Sequence, residues 1–302
     1  MSLFSDLTAI AGQENIEEQV PLAKLTTFQT GGPARFFVSP PSEEALKEMI
    51  GYLRKNAVPY FLLGRGANVL ASDRGFDGVI ISLRKHFSGI RVTEEGLIAG
   101  AGALMSECAK AALSNALTGF EFASGIPGTV GGGLFMNAGA YGFEMKDIVR
   151  TVRVLMPDGT VAVRSNEEME FSYRHSVLSE NGGIALEAVF ELKEGDPEAI
   201  LSEMNDLSAR RREKQPLEFA SAGSTFKRPE GHYAGALIEE AGLKGFRIGQ
   251  AGVSEKHAGF IVNYKDASAE EICSVIRHVQ KTVFERSGIL LEREVRLLGD
   301  FE

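Results

Sequence analysis

A chain of 302 residues, 44% hydrophobic and 24% charged, has the composition of a soluble globular protein and the length for two or three domains. Its formal net charge of -9 argues against a nucleic-acid backbone or an anionic membrane as a partner, so any anionic ligand has to be met by a local cationic pocket. No apolar run approaches the roughly 18 residues that span a bilayer. Asp6, Glu14, Glu17 and Glu18 precede the first basic residue, Lys24, so neither a membrane anchor nor a signal peptide is expected and the expected location is the cytoplasm.

Ser42 stands before Glu43 and Glu44, and Ala45, Leu46, Met49, Ile50 and Leu53 recur at helical spacing; this predicts a capped helix to about Lys55 with one face on a sheet. Residues 58–63 read as a buried strand, 64–68 as a glycine-bearing loop and 69–71 as a second short strand. Short strands follow at 79–83, 89–92 and 97–101, then a helix over 104–117 with Met105, Cys108, Ala112 and Leu113 inward. Residues 119–142 hold eight glycines and read as a long loop whose backbone can approach a ligand closely. Residues 149–156 and 160–164 flank Pro157-Asp158-Gly159 as a hairpin, and 184–192 is a third strand. Asp196 and Pro197 open a helix that runs toward Arg212. A helix near 233–241 stopped by Gly242, a strand at 259–263, a helix opened by the capping box Ser268 to Glu271 and a final strand over 290–298 complete the chain. Strands and helices mix without strict βαβ alternation, so the class is α+β. Cys108 and Cys273 lie in helix-like segments with no second sulfur or histidine at ligand spacing; they read as reduced and structural, and no metal is expected.

Gly64-Arg65-Gly66-Ala67-Asn68 lacks the third glycine and the following helix of a dinucleotide fingerprint. A nest of backbone N–H groups for a pyrophosphate fits it, and taken alone a tight turn fits it equally. A second loop, Ser124-Gly125-Ile126-Pro127-Gly128-Thr129-Val130-Gly131-Gly132, allows a long cofactor to be gripped at two points.

With Val69 and Leu70, the two loops resemble the FAD domain of the vanillyl-alcohol-oxidase-like flavoproteins, specifically the UDP-N-acetylenolpyruvoylglucosamine reductase family. The resemblance extends through Thr26-Thr27-Phe28 with Gly31-Gly32, residues 137–142, Tyr173-Arg174-His175-Ser176, residues 222–227 and Glu294-Val295-Arg296. It implies an FAD-binding domain of the vanillyl-alcohol-oxidase/PCMH type in two subdomains, 1–83 and 84–208 rejoined by 287–302, with an α+β substrate domain at 209–286. It implies non-covalent FAD, held by Gly64, Arg65, Gly66, Ala67, Asn68, Val69, Leu70, Ser124, Gly125, Ile126, Pro127, Gly128, Thr129, Gly131, Gly132, Asn137 and Gly139. Arg174, Ser224 and Glu294 are implied to be catalytic, with Tyr141, Tyr173, Arg211, Lys214, Lys227, His257 and Arg296 on the substrate side. The implied reaction is NADPH-dependent reduction of UDP-N-acetylglucosamine enolpyruvate to UDP-N-acetylmuramate, a step of peptidoglycan precursor synthesis.

These residue types suit that chemistry. Hydride delivered to one alkene carbon leaves negative charge at the other, beside a carboxylate. An arginine can pair bidentately with that carboxylate, a protonated glutamic acid can share a hydrogen bond with the enolate, and a serine hydroxyl can protonate so strong a base where water is excluded. Each residue also has a plain reading: Arg174 as a surface ion pair, Glu294 as a solvent-facing strand residue, Ser224 as a turn residue, and Arg210 to Lys214 as cations at a helix C-terminus. An oxidase of the same superfamily or a flavin-binding module without chemistry are the rival functions, and neither needs Arg174, Ser224 and Glu294 together. Two departures stand out: Arg228 occupies a position where the family usually has Asn, and only Ser176 to Gly183 separate the Arg174 motif from the next strand, as in the shorter subtype without a tyrosine-bearing loop.

Overall fold

The structure is a computed structural model that describes residues 2–301. Residues 1–17, 37–65 and 79–211 form one compact unit and 18–36, 66–78 and 212–302 a second. The sequence leads to different boundaries: no division falls at residue 83, and the closing segment belongs with 212–286, because Leu291 and Val295 are buried in the apolar core of that second unit.

In the first unit, helix α1 (Leu3–Ala11) packs beside α2 (Glu43–Lys55). The Ser42 hydroxyl caps α2 by accepting the Ala45 N–H at 3.2 Å, and the five apolar residues named above are all buried. Tyr60–Leu62 pairs in parallel with residues 79–81. An antiparallel sheet of five strands has the order 161–165, 149–155, 184–190, 96–100, 90–93, which includes the expected hairpin and third strand. Phe190 packs edge-on against Phe120 at 5.0 Å, with both rings buried. Helix α3 (Met105–Ser114) buries Cys108, Ala109 and Ala112.

The glycine-rich stretch is not all loop. Glu121–Ala123 is a turn of 3-10 helix, and Val130–Phe135 is an α-helix, α4, capped by the Thr129 hydroxyl accepting the Gly132 N–H at 3.3 Å. Its glycines serve packing: a Cβ on Gly131 would meet the Ala101 carbonyl at 3.1 Å, and one on Gly133 the Met105 sulfur at 2.9 Å. Two further helices follow, α5 (Leu178–Asn181) and α6 (Pro197–Lys214), the latter passing into the second unit at residue 212.

The second unit has an antiparallel sheet in the order 220–224, 260–263, 251–253, 247–248. Helix α7 (Ala234–Glu240) and helix α8 (Ala269–Ser287) complete its core, where Ile272, Ile276, Val279 and Val283 of α8 are buried, as their spacing predicts. Ser268 and Glu271 form the expected capping box, and both Asp73 carboxylate oxygens accept first-turn N–H groups, from Ala269 at 2.9 Å and Glu270 at 3.1 Å. The closing strand is shorter than its sequence suggests: only Arg296–Leu298 is a strand, parallel to Val69–Ala71. Residues 290–295 change partner partway, because the Glu292 carbonyl and the Glu294 N–H bond across to Lys227 and Thr225. Among the described residues no helix is long and apolar enough to cross a membrane.

Candidate active site

In the second unit, Ser224 ends the strand Ala220–Ser224, where it pairs with Phe260 just after Gly223 at φ +77°. It is therefore a strand terminus next to a left-handed residue, and not a turn. The neighbouring Thr225, fully buried, is the frame. Its N–H donates to the Gly259 carbonyl at 2.9 Å, its carbonyl accepts the Glu294 N–H at 2.9 Å, and its hydroxyl accepts the Ile261 N–H at 3.1 Å. The strand register is irregular between Ser221 and Ser224, so the Ile261 donor finds its partner in a side chain. Ser224 and Glu294 are thus held on neighbouring segments through one residue that sequence reasoning passed over as part of a motif.

Asn68 braces the same segment. Its amide donates to the Glu294 carbonyl at 3.2 Å and its carbonyl accepts the Arg296 N–H at 3.1 Å, which places Arg296 at the head of its parallel strand. The Lys227 ammonium pairs with the Glu292 carboxylate at 2.5 Å. His257 accepts the Gly259 N–H on Nδ1 at 3.1 Å, which leaves its proton on Nε2, and burial pushes its pKa below the ordinary histidine value. Lys214 is exposed at the C-terminal end of α6.

In the first unit, Arg174 sits at φ +55° in a two-residue turn closed by the Ser172–His175 bridge, with its guanidinium 5.1 Å from the centre of the half-exposed Tyr173 ring. Tyr141 (φ +57°) and Gly142 (φ +91°) form the turn of a short hairpin, both in the left-handed region that such a turn demands. The Tyr141 hydroxyl donates to the Leu207 carbonyl of α6 at 3.1 Å. Arg211, also on α6, donates to the Gly125 carbonyl, and burial lowers its pKa without discharging a guanidinium at neutral pH. Tyr141 also borders an open cleft of about 530 Å³, with Phe122, Phe143 and the α6 residues Asp206 and Arg210.

The glycine loops fit a flavin dinucleotide in different ways. Among the described residues, the backbone N–H groups of Gly64, Arg65, Gly66 and Ala67 donate to no protein group, leaving consecutive donors for a pyrophosphate. A Cβ on Gly64 would lie 2.5 Å from the Thr129 hydroxyl of the second loop, and one on Gly66 (φ +67°) would collide with the Leu25 carbonyl, so both glycines are obligatory. In the second loop the N–H groups of Ser124, Ile126, Gly128, Gly131 and Gly132 are taken by protein acceptors, among them the Glu121, Ala123 and Ala101 carbonyls, which leaves it shape more than donors. Val69 and Leu70 are buried in their strand, Pro127 lies between those spent donors, and Gly139 pairs with Glu144 in the Tyr141 hairpin. The Asn137 side chain is fully buried. No group of three or more potential metal ligands occurs among the described residues.

Residues 34–164 match the profile of an FAD binding domain, and 215–298 match that described as the C-terminal domain of UDP-N-acetylenolpyruvoylglucosamine reductase. A berberine-bridge-enzyme-like protein of Physcomitrella patens, a variant at 18% identity and TM-score 0.50 over 64% of this chain and 45% of its own, shares the fold alone. The protein is an α+β flavoprotein with an FAD-binding domain. The UDP-N-acetylenolpyruvoylglucosamine reductase of Clostridioides difficile (strain 630) is 48% identical over 298 residues, 99% of this chain and 98% of that one. The crystal structure of the Thermus caldophilus UDP-N-acetylenolpyruvylglucosamine reductase superposes with a TM-score of 0.81 at 37% identity, covering 94% of this chain and 99% of its own. The chain belongs to the UDP-N-acetylenolpyruvoylglucosamine reductase family.

Proposed function

We propose that this protein reduces UDP-N-acetylglucosamine enolpyruvate to UDP-N-acetylmuramate with NADPH, with Arg174, Ser224 and Glu294 as its catalytic residues. The observation that carries the residue assignment is the Thr225 frame, which holds Ser224 and Glu294 on adjacent segments by backbone bonds that side-chain motion does not disturb. FAD, when bound, would supply the hydride-transfer chemistry that links NADPH to the enolpyruvyl sugar. The free N–H groups of Gly64 to Ala67 would hold its pyrophosphate, and the Ser124 to Gly132 loop would shape the wall beside it.

Arg174 binds the enolpyruvyl carboxylate and stabilises the charge that develops beside it. Glu294 contributes a hydrogen bond to the enolate from its protonated form, and the Ser224 hydroxyl delivers the final proton. Tyr141, Tyr173, Arg211, Lys214, Lys227, His257 and Arg296 bind the anionic substrates in turn. The reaction takes place in the cytoplasm as a step of peptidoglycan precursor synthesis. One spectrum tests the core of this reading. The purified protein is expected to show flavin absorbance that bleaches on adding NADPH and returns on adding the enolpyruvyl sugar without oxygen; a protein that cannot be loaded with FAD refutes it.

A further inference from the structure

The family resemblance assigns Asn137 to the cofactor, yet its side chain has no donor to give. Asn137 is fully buried; its Nδ2 donates to the Ser172 carbonyl at 3.0 Å and to the Glu144 carboxylate at 3.1 Å, while its Oδ1 accepts the Lys146 N–H at 3.0 Å. Both amide hydrogens are therefore committed. The Ser172 carbonyl is the one that also accepts the His175 N–H at 3.2 Å and so closes the turn that carries Tyr173 and Arg174. On the far side of that turn Ser176, also fully buried, donates its hydroxyl to the Phe135 carbonyl at 2.9 Å. Residues 135–137 thus clamp both ends of the segment 172–176.

A clamp is needed because Arg174 stands at φ +55°, a conformation that is strained for a residue bearing a Cβ and persists only where surrounding contacts over-determine it. Asn137 suits its own post, since it lies at φ +45°, where asparagine is among the better tolerated side chains. We propose that Asn137 is a positioning residue for Arg174, holding the guanidinium-bearing turn from beneath through the Ser172 carbonyl, with Ser176 as its counterpart. The inference rests on Arg174 acting in the reduction of the enolpyruvyl sugar, and it replaces a cofactor contact for the Asn137 side chain.

Asn137→Asp is nearly isosteric, but it sets oxygen in place of the amide nitrogen against two acceptors, the Ser172 carbonyl and Glu144. In stopped-flow measurements on the FAD-loaded enzyme, Asn137→Asp is expected to keep wild-type FAD content and wild-type reduction by NADPH. Reoxidation by the enolpyruvyl sugar should slow by about tenfold or more, as a misplaced catalytic group does. Ser176→Ala loosens the opposite end of the same turn and should give the same split between half-reactions, which provides a second route if the aspartate variant folds poorly. Because Asn137 acts through Arg174, the double variant Asn137→Asp/Arg174→Ala should be no slower than Arg174→Ala alone. Loss of FAD, equal slowing of both half-reactions, or slowdowns that multiply in the double variant would overturn the positioning role. If Arg174→Ala alone reoxidised at the wild-type rate, the catalytic reading of Arg174 would fall, and this inference with it; a slow Arg174→Ala with multiplying effects would overturn the positioning alone.

Discussion

Thr225→Val tests the frame that joins Ser224 to Glu294. The substitution keeps size and branching and removes one hydroxyl. In a fully buried position that oxygen is the acceptor for the Ile261 N–H at 3.1 Å, and the strand irregularity between Ser221 and Ser224 gives that donor no backbone alternative on the same side. Stranding a buried N–H costs roughly 1–3 kcal/mol, the desolvation of the donor, while the extra methyl recovers only a part of it by burial. The two backbone bonds of Thr225, to Gly259 and from Glu294, survive the change, so stability should suffer before turnover does. Urea unfolding followed by circular dichroism, with FAD present at a fixed excess, measures the difference. A Thr225→Val protein with the wild-type midpoint and slope would show that the hydroxyl is dispensable, and the argument for Thr225 as the frame would fail.

Ser224→Ala should leave reduction by NADPH nearly intact and slow reoxidation by the enolpyruvyl sugar on the order of a hundredfold or more, as loss of a general acid requires; equal effects on both half-reactions, read in single turnovers, would remove the assignment. If one site serves both anions, excess sugar should inhibit and added NADPH relieve it; rates over a grid of both concentrations that never fall at high sugar would mean separate sites. His257 should titrate below the ordinary histidine range, because burial, aided by Lys244, outweighs Glu239 and its own backbone bond. The folded state then binds fewer protons than the unfolded one, so this contribution to stability is full above about pH 6.5 and is lost as pH falls through the folded value. A histidine Cε1 proton resonance, assigned by His257→Gln, that titrates at or above 6.5 would contradict this. Burial raises the Cys108 thiol to about 12. At pH 8 on the order of one thiol in ten thousand is therefore ionised, and Ellman's reagent should label Cys108 only on unfolding; prompt labelling of the native protein, mapped by mass spectrometry, would show the helix to be open.

Local chemistry makes much of this molecule legible in the sequence alone. Helix α2 announces itself by Ser42 and its apolar spacing, α8 by its capping box, and the hairpin about Pro157-Asp158-Gly159 by turn residues between alternating strands, since each of these signals acts within a few residues. The order of glycine, arginine, serine and glutamate motifs likewise carries the family, because those residue types are tied to a particular chemistry. Other features depend on partners far away along the chain. Helix α4 reads as loop because its glycines look like freedom, and only the approach of Ala101 and Met105 makes them packing. The closing strand is cut to three residues because 292–294 are claimed by Thr225 and Lys227, which lie more than sixty residues earlier. Asn137 shows the limit most directly: one asparagine in a glycine-rich motif can face a cofactor or a protein carbonyl. The choice is made by Ser172, 35 residues on, because a buried amide bonds to whichever polar groups the tertiary fold brings to it.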